Sequence, residues 1–183
     1  LSPIKKIIVS TYQAVSGAGK EGIDELRDET QAYLKGEEMV PHILPSKSLP
    51  KHYPIAFNLI PQIDKFLDND YSKEEMKMVN ETHKMLHDDD IAITATTVRV
   101  PVFRSHAESI YVETADELSV DAVRKAIDAF PGAQVQDNLA EMEYPMPLYT
   151  SEKYDCYVGR IRKDLYNPKA INLWVSGDQI RKG

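Results

Sequence analysis

Apolar positions along this chain recur with two different periods, and the switches between them divide it into elements. Ile7-Ile8-Val9 is a short β-branched run that reads as a buried strand, leading to the turn-forming Ser16-Gly17-Ala18-Gly19. A helix should follow, because Ile23, Leu26, Tyr33 and Leu34 fall close to helical spacing among charges and Gly36 is placed to stop it. Five prolines between Pro41 and Pro61 forbid a helix there. They predict an extended crossing segment, with His42-Ile43-Leu44 and Pro54-Ile55-Ala56-Phe57 packed against the body. The next helix is better marked: Ser72 and Glu75 form a capping-box pattern, and Met76, Val79, His83 and Leu86 recur at spacings of three and four. Ile91 to Val102 then reads as β-structure and Ser109 to Glu113 as another strand. A helix starts near Ser119 with Val120, Val123, Ile127 and Phe130 on one face, and Pro131-Gly132 ends it. Tyr157 to Lys163 and Ala170 to Val175 alternate and are joined through Asn167-Pro168, which predicts a hairpin. The expected fold class is α+β: a mixed, largely antiparallel sheet with helices packed on one face.

Composition narrows the setting. The 183 residues suit one domain with a real core. With 22 Lys and Arg against 29 Asp and Glu, the formal net charge is −7, which argues against sequence-independent binding of nucleic acid. The charge is uneven: from Ser151 onward seven basic residues face four acidic ones, a stripe that reads first as a solvated strand face. Charges interrupt every apolar run well short of a membrane span. The single cysteine, Cys156, excludes an internal disulfide and a Cys-cluster zinc site, and suits a reducing, cytoplasmic compartment. The opening Leu1-Ser2-Pro3-Ile4-Lys5-Lys6 has neither an initiator Met nor a signal-peptide pattern, so both ends read as cut from a longer chain.

Individual residues suggest chemistry of varying specificity. Cys156 sits inside a predicted strand with no His or Gly-rich turn beside it, and reads as a packing residue. His83 and His87 stand at i and i+4, but no third metal ligand is suggested by position, so no metal site is expected. Arg99 and His106 lie seven apart; the first could clamp a carboxylate and the second move a proton. Glu74 and Lys77 at i and i+3 would ordinarily be a surface ion pair. Ser10 to Gly19 places an amide and hydroxyls directly before a Gly-rich turn, where backbone N–H groups can meet an anion or a cofactor.

Taken together, these segments resemble the C-terminal catalytic and dimerisation domain of the aspartate-β-semialdehyde dehydrogenase family. Ser10-Thr11-Tyr12-Gln13-Ala14 with Ser16-Gly17-Ala18-Gly19 looks like its S-T-Y-Q-A-x-S-G-A-G segment. His52 to Asn58 and Asn69 to Lys77 look like its two middle motifs. Arg99 to His106 is similar to its R-[IV]-x-x-x-x-x-H strand, Val158-Gly159-Arg160-Ile161-Arg162 to its V-G-R-[IL]-R hairpin, and Gly177 to Gly183 to its closing D-[NQ]-[LI]-x-x-G. In that family a thiol attacks the aldehyde, hydride passes to NADP, and phosphate releases aspartyl phosphate. The resemblance implies that His106 is the general acid and base, that Gln13 positions the substrate or acyl group, and that Glu74 binds the α-amino end and Arg99 the α-carboxylate. It further implies Lys77 at the phosphate, and Ser16, Gly17 and Gln179 at the cofactor.

The sequence departs from the family in lacking the nucleophilic cysteine's N-C-x-T motif and the N-terminal Rossmann domain that binds most of the NADP. Cys156 matches no such motif. The expectation is therefore a substrate-binding domain, inactive alone, that forms a homodimer or homotetramer and takes a small-molecule substrate and phosphate, with no nucleic acid and no membrane. A non-catalytic dimerisation module, or the related N-acetylglutamyl-phosphate reductase branch, is the alternative.

Overall fold

A computed structural model describes residues 1–182. Its centre is a six-stranded sheet in the order β2-β1-β3-β6-β5-β4, built from β1 (Ile4–Gln13), β2 (Ala92–Arg99), β3 (His106–Thr114), β4 (Ala133–Val135), β5 (Cys156–Lys163) and β6 (Ala170–Gly177). The inner pairs β1/β3, β3/β6 and β6/β5 are antiparallel, while β1/β2 and β4/β5 are parallel. Parallel neighbours need long crossovers. The first carries α1 (Gly19–Lys35), the proline-rich segment and α2 (Lys73–Leu86); the second carries only the short α4 (Pro147–Thr150). The mixed α+β architecture is as expected, and so is the β5/β6 hairpin. Among the described residues no helix is long and apolar enough to cross a membrane.

Alternation along the strands separates two faces. α2 packs over β2, and α3 (Val120–Asp128) packs over β4 and β5. A core of Val123, Val158, Ile161 and Ile171 forms beneath α3. Here the reading of Ile7-Ile8-Val9 as wholly buried fails. Val9 is buried, but a period of two turns Ile8 to the opposite face, which also carries the tilted Tyr12–Trp174 ring pair, and there it is 39% exposed. The strand expected over Ile91 to Val102 stops at Arg99, and the one expected from Ser109 begins earlier, at His106. His106 thus opens a strand instead of trailing one.

α1 departs furthest from its sequence pattern. Gly36 ends it in the left-handed conformation as expected, yet Tyr33 and Leu34 are exposed, and Glu25 and Glu29 are buried beside Leu26. The cause lies in the proline-rich segment, which bends instead of running extended and, among the described residues, pairs with a strand only where Ile60 bridges Arg99. Glu25 accepts three of its N–H groups, from His42 (2.6 Å), Ile43 (2.7 Å) and Leu44 (2.9 Å). Glu29 Oε2 accepts two more, from Ile55 (2.7 Å) and Ala56 (2.9 Å). A buried N–H left unpaired costs about 1–3 kcal/mol, so these carboxylates are as structural as the apolar cluster of Val15, Leu26, Leu44, Ile55, Ala56 and Ile60 around them. Phe57, expected to pack inward, is largely exposed and meets the Tyr33 ring at a tilt of 43°.

The capping box of α2 is present in full: Ser72 Oγ accepts from Glu75 N–H and Glu75 accepts from Ser72 N–H. Glu75 also accepts from Thr97 N–H (2.9 Å), tying the helix to β2. Leu86 and Phe130 fall outside their expected stripes: Leu86 is at the exposed last turn of α2, and Phe130 lies beyond the end of α3. β4 and α4 escape sequence reading because three or four residues cannot display a period.

Burial raises the Glu29 carboxyl pKa above its ordinary value of 4.5, against the opposing backbone donors. The folded state therefore holds a proton that the unfolded chain releases first. This contribution to stability is complete below pH 4.5 and is lost as pH rises through the raised folded value. Glu29→Gln keeps the acceptor for Ile55 and Ala56 without the titration, so melting curves of the variant should show a flatter loss of Tm as pH rises above 4.5 than the parent. A parallel loss in both proteins would contradict this.

Candidate active site

The residues singled out from the sequence converge where β1 and β2 end and β3 begins. Gln13 closes β1 in register with Arg99, the last residue of β2. Past this point the β1/β2 ladder continues irregularly, with Val100 N–H on Gln13 C=O, Val15 N–H on Val102 C=O and Ser16 N–H on Phe103 C=O. Ala14 is skipped; Gly17 N–H reaches its C=O (3.1 Å), and two side chains also meet its backbone groups. Its N–H donates to His106 Nδ1 (3.1 Å), and its C=O accepts from Arg99 Nη1 (2.8 Å).

Arg99 is 3% exposed. Its second contact is a longer bond from Nη2 to Pro45 C=O (3.5 Å), and its buried Nε has no partner. Burial pulls its pKa down to about 10, with Glu74 opposing, so it stays charged at neutral pH. Glu74, on the first turn of α2, accepts from Gln13 Nε2 (3.3 Å) and stands 3.8 Å from the more exposed Lys77. Thr11 Oγ1 donates to Gln13 Oε1 (2.9 Å) and fixes the amide's orientation. The site therefore presents a buried cation, a carboxylate and a partly exposed ammonium around one amide.

His106 is governed by its surroundings. Burial, reinforced by the Arg99 charge, pushes its pKa down to about 4 despite the opposing pull of Asp178. Because Nδ1 accepts from Ala14, the neutral ring carries its proton on Nε2. A Cβ placed on Gly17 would lie 3.6 Å from that nitrogen and 2.8 Å from Arg99 Nη1, so the bare glycine keeps open the space that both groups border. Ser16 and Gln179 are also joined, Gln179 Nε2 donating to Ser16 Oγ (2.6 Å). Gln179 Oε1 is buried and has no partner among the described residues.

A cavity of about 460 Å³ adjoins His106 and is lined by Glu108, Cys156, Gln179 and Lys182. Burial raises the Cys156 thiol pKa, with Lys182 opposing, which is the reverse of nucleophile activation. Sequence reading missed Thr11, Ala14 and Glu108; alternation along β3 puts Glu108 on the face of His106 and could have found it. His83 turns Nε2 to Ile91 C=O (2.8 Å), and His87 caps α2 in the left-handed conformation.

The model of the family described as "Semialdehyde dehydrogenase, dimerisation domain" matches residues 1–182. The chain belongs to this family. Its curated relatives include an aspartate-semialdehyde dehydrogenase of Bacillus subtilis, 50% identical over 98% of this chain, and one of Campylobacter jejuni, 48% identical over 98%. Each is covered only in part (52% and 51%), so the chain spans about half the length of the curated relatives it matches. Among solved structures, aspartate semialdehyde dehydrogenase II of Vibrio cholerae, crystallised with ASA, is 42% identical with a TM-score of 0.89, covering 100% of this chain and 52% of that one. A probable aspartate-semialdehyde dehydrogenase of Pseudomonas aeruginosa, 24% identical with a TM-score of 0.86, shares the fold.

Within this semialdehyde dehydrogenase domain, the Ala14 contact can be checked directly. Imidazole ¹⁵N spectra at pH 7 should show His106 neutral with the proton on Nε2, and no titration above about pH 5. A midpoint near 6.5 or an Nδ1–H tautomer would contradict the geometry.

Proposed function

We propose that this chain is the substrate-binding and dimerisation half of an aspartate-semialdehyde dehydrogenase, which interconverts L-aspartate 4-semialdehyde, phosphate and NADP with L-4-aspartyl phosphate and NADPH in amino-acid biosynthesis. The nucleophilic cysteine and the Rossmann domain belong to the rest of the protein, which works in the cytoplasm. The observation that carries this reading is Arg99, a guanidinium 3% exposed with an unpartnered Nε. Burying a cation is costly unless an anion meets it, and the substrate's α-carboxylate supplies that anion through two parallel hydrogen bonds. A pure dimerisation module has no use for such a group. Glu74 faces the α-ammonium, which favours a free amino acid over the acylated amine of the N-acetylglutamyl-phosphate reductase branch. Lys77 serves the mobile phosphate as a point cation. Gln13, held by Thr11 and Glu74, orients the reacting end.

His106 meets the reaction as a donor. Its Nε2–H borders the space kept open by Gly17, where it steadies charge on sulfur or oxygen as the thiol adds to the aldehyde. Taking the thiol proton as well requires the ring to release Ala14 N–H. A thiolate brought beside it favours the protonated ring and so raises its pKa. Bound NADP supplies the hydride acceptor. Ser16, Gly17 and Gln179 fit its edge, since the unpartnered Gln179 Oε1 can accept from an amide donor.

Self-association draws on the sheet face bearing Ile8, Tyr12, Ser109, Tyr111 and Trp174, where α4 covers only the β6 end. The family's description and the exposure of Ile8 support a second copy of the chain, packed there as a homodimer or as half of a homotetramer.

In the full enzyme, Arg99→Ala should raise KM for the semialdehyde at least about tenfold, while His106→Ala chiefly lowers kcat. His106→Gln, which keeps an N–H donor, should retain more turnover than His106→Ala. Mild, equal effects of all three would sink these roles, and phosphate-dependent NADP reduction by the 183-residue chain alone would overturn the division of labour. Sedimentation should show the chain as a dimer or tetramer that Ile8→Asp dissociates with its circular dichroism unchanged; an unaltered oligomer would place the interface elsewhere.

A further inference from the structure

We infer that Asp178 is a positioning residue of this site: its buried carboxylate, clamped to Arg104, holds His106 and Gln179 in fixed relation to one another. The inference rests on the roles proposed above for His106 and Gln179. Asp178 follows Gly177, which pairs with His106 in the β3/β6 register, and it is 0% exposed. Its Oδ2 meets Arg104 Nε (2.6 Å) and accepts from Glu152 N–H (2.6 Å). Its Oδ1 accepts from Ile180 N–H (2.9 Å) and Arg181 N–H (3.2 Å), which starts α5 (Gln179–Lys182). Capping so short a helix needs one oxygen. The other accepts from Glu152 N–H and forms an ion pair with Arg104, two residues before His106.

These contacts close a ring. Gln179 Nε2 donates to Ser16 Oγ, Ser16 N–H donates to Phe103 C=O (3.2 Å), and Phe103 precedes Arg104, which returns to Asp178. The cofactor-side amide and the strand entry bearing the imidazole are thus braced against each other through one carboxylate. Burial works against that carboxylate's charge, but the donors from Glu152, Ile180, Arg181 and Arg104 outweigh it and keep its pKa below the ordinary value. The titratable and charged groups around the imidazole are Arg99 from β2, Glu108 from its own strand, Cys156 from β5, Lys182 from α5, and Asp178. Of Arg99 and Asp178, the first disfavours the protonated ring and the second favours it.

The test uses Asp178→Asn and, because Arg104 is partly exposed, Arg104→Gln as the gentler variant. In the chain itself, hydrogen exchange of the Gln179 side-chain amide should quicken at least about tenfold in both variants, and the His106 titration should move to lower pH in Asp178→Asn. Signals of the Leu26 and Leu44 cluster should stay in place. In the full enzyme kcat should fall about tenfold, with KM for the semialdehyde within roughly a factor of two. A lower Tm with Gln179 exchange and His106 titration both unmoved would reduce Asp178 to a structural role and overturn the inference. If Asp178→Asn fails to fold, Gln179 exchange in Arg104→Gln decides alone. Spectroscopic changes in a protein whose parent shows no NADP-dependent turnover would leave the brace standing and reject the proposed function instead.

Discussion

The arrangement of this site depends on a gap in a hydrogen-bond ladder. β1 and β2 run parallel, and their bonding continues past the strand ends through Gln13, Val15 and Ser16 but passes over Ala14. Ala14 is fully buried, so water cannot satisfy its two backbone groups, and an unpaired buried amide or carbonyl is expensive. His106 takes the N–H, and the C=O accepts from Arg99 beside the Gly17 N–H of the following turn. A single residue with no functional side chain therefore sets the imidazole tautomer and anchors the guanidinium. The same contact explains why His106 stands ready as a donor: the nitrogen that could accept a proton is already in use.

A second layer holds the first. Arg99 also reaches Pro45 C=O in the proline-rich crossing, and that crossing stays on the body through the N–H groups bonded to Glu25 and Glu29. Prolines keep most of the segment from pairing as a strand, apart from the Ile60 bridge to Arg99, which leaves other N–H groups in need of acceptors. Two carboxylates one helical turn apart on α1 supply them. Acidic side chains that look solvated in the sequence thereby position the wall of a site whose own charges lie elsewhere.

What the sequence disclosed follows from the range of the interactions involved. The capping box of α2, the Gly36 stop and the β5/β6 hairpin were legible because they are settled within a few residues. α1 was misread at Tyr33 and Leu34 because its buried positions include glutamates, which no hydrophobic period reveals. The candidate site residues were legible only as a set of motifs, and their convergence needed the register of three strands. Ala14, Thr11 and Asp178 escaped assignment because their work is done through backbone groups and neighbours. Charge arithmetic could not help: a net −7 says nothing about which carboxylates are buried.

The unsatisfied atoms of the site also bear on stability. Arg99 Nε and Gln179 Oε1 are buried without partners, and the Arg99 charge is offset only by Glu74 and backbone carbonyls. Such groups cost folding energy in the free chain, and a ligand that supplies an anion to one and a donor to the other relieves that cost. Binding and folding are then linked, because whatever binds only the folded state stabilises it in proportion to the logarithm of its concentration over Kd. The ring through Asp178 fixes the neighbouring backbone, since Gln179 is bonded to Ser16, Ser16 to Phe103, and Arg104 is paired with Asp178. Positional order and charge thus come from separate contacts, because this brace does not touch the Arg99 guanidinium.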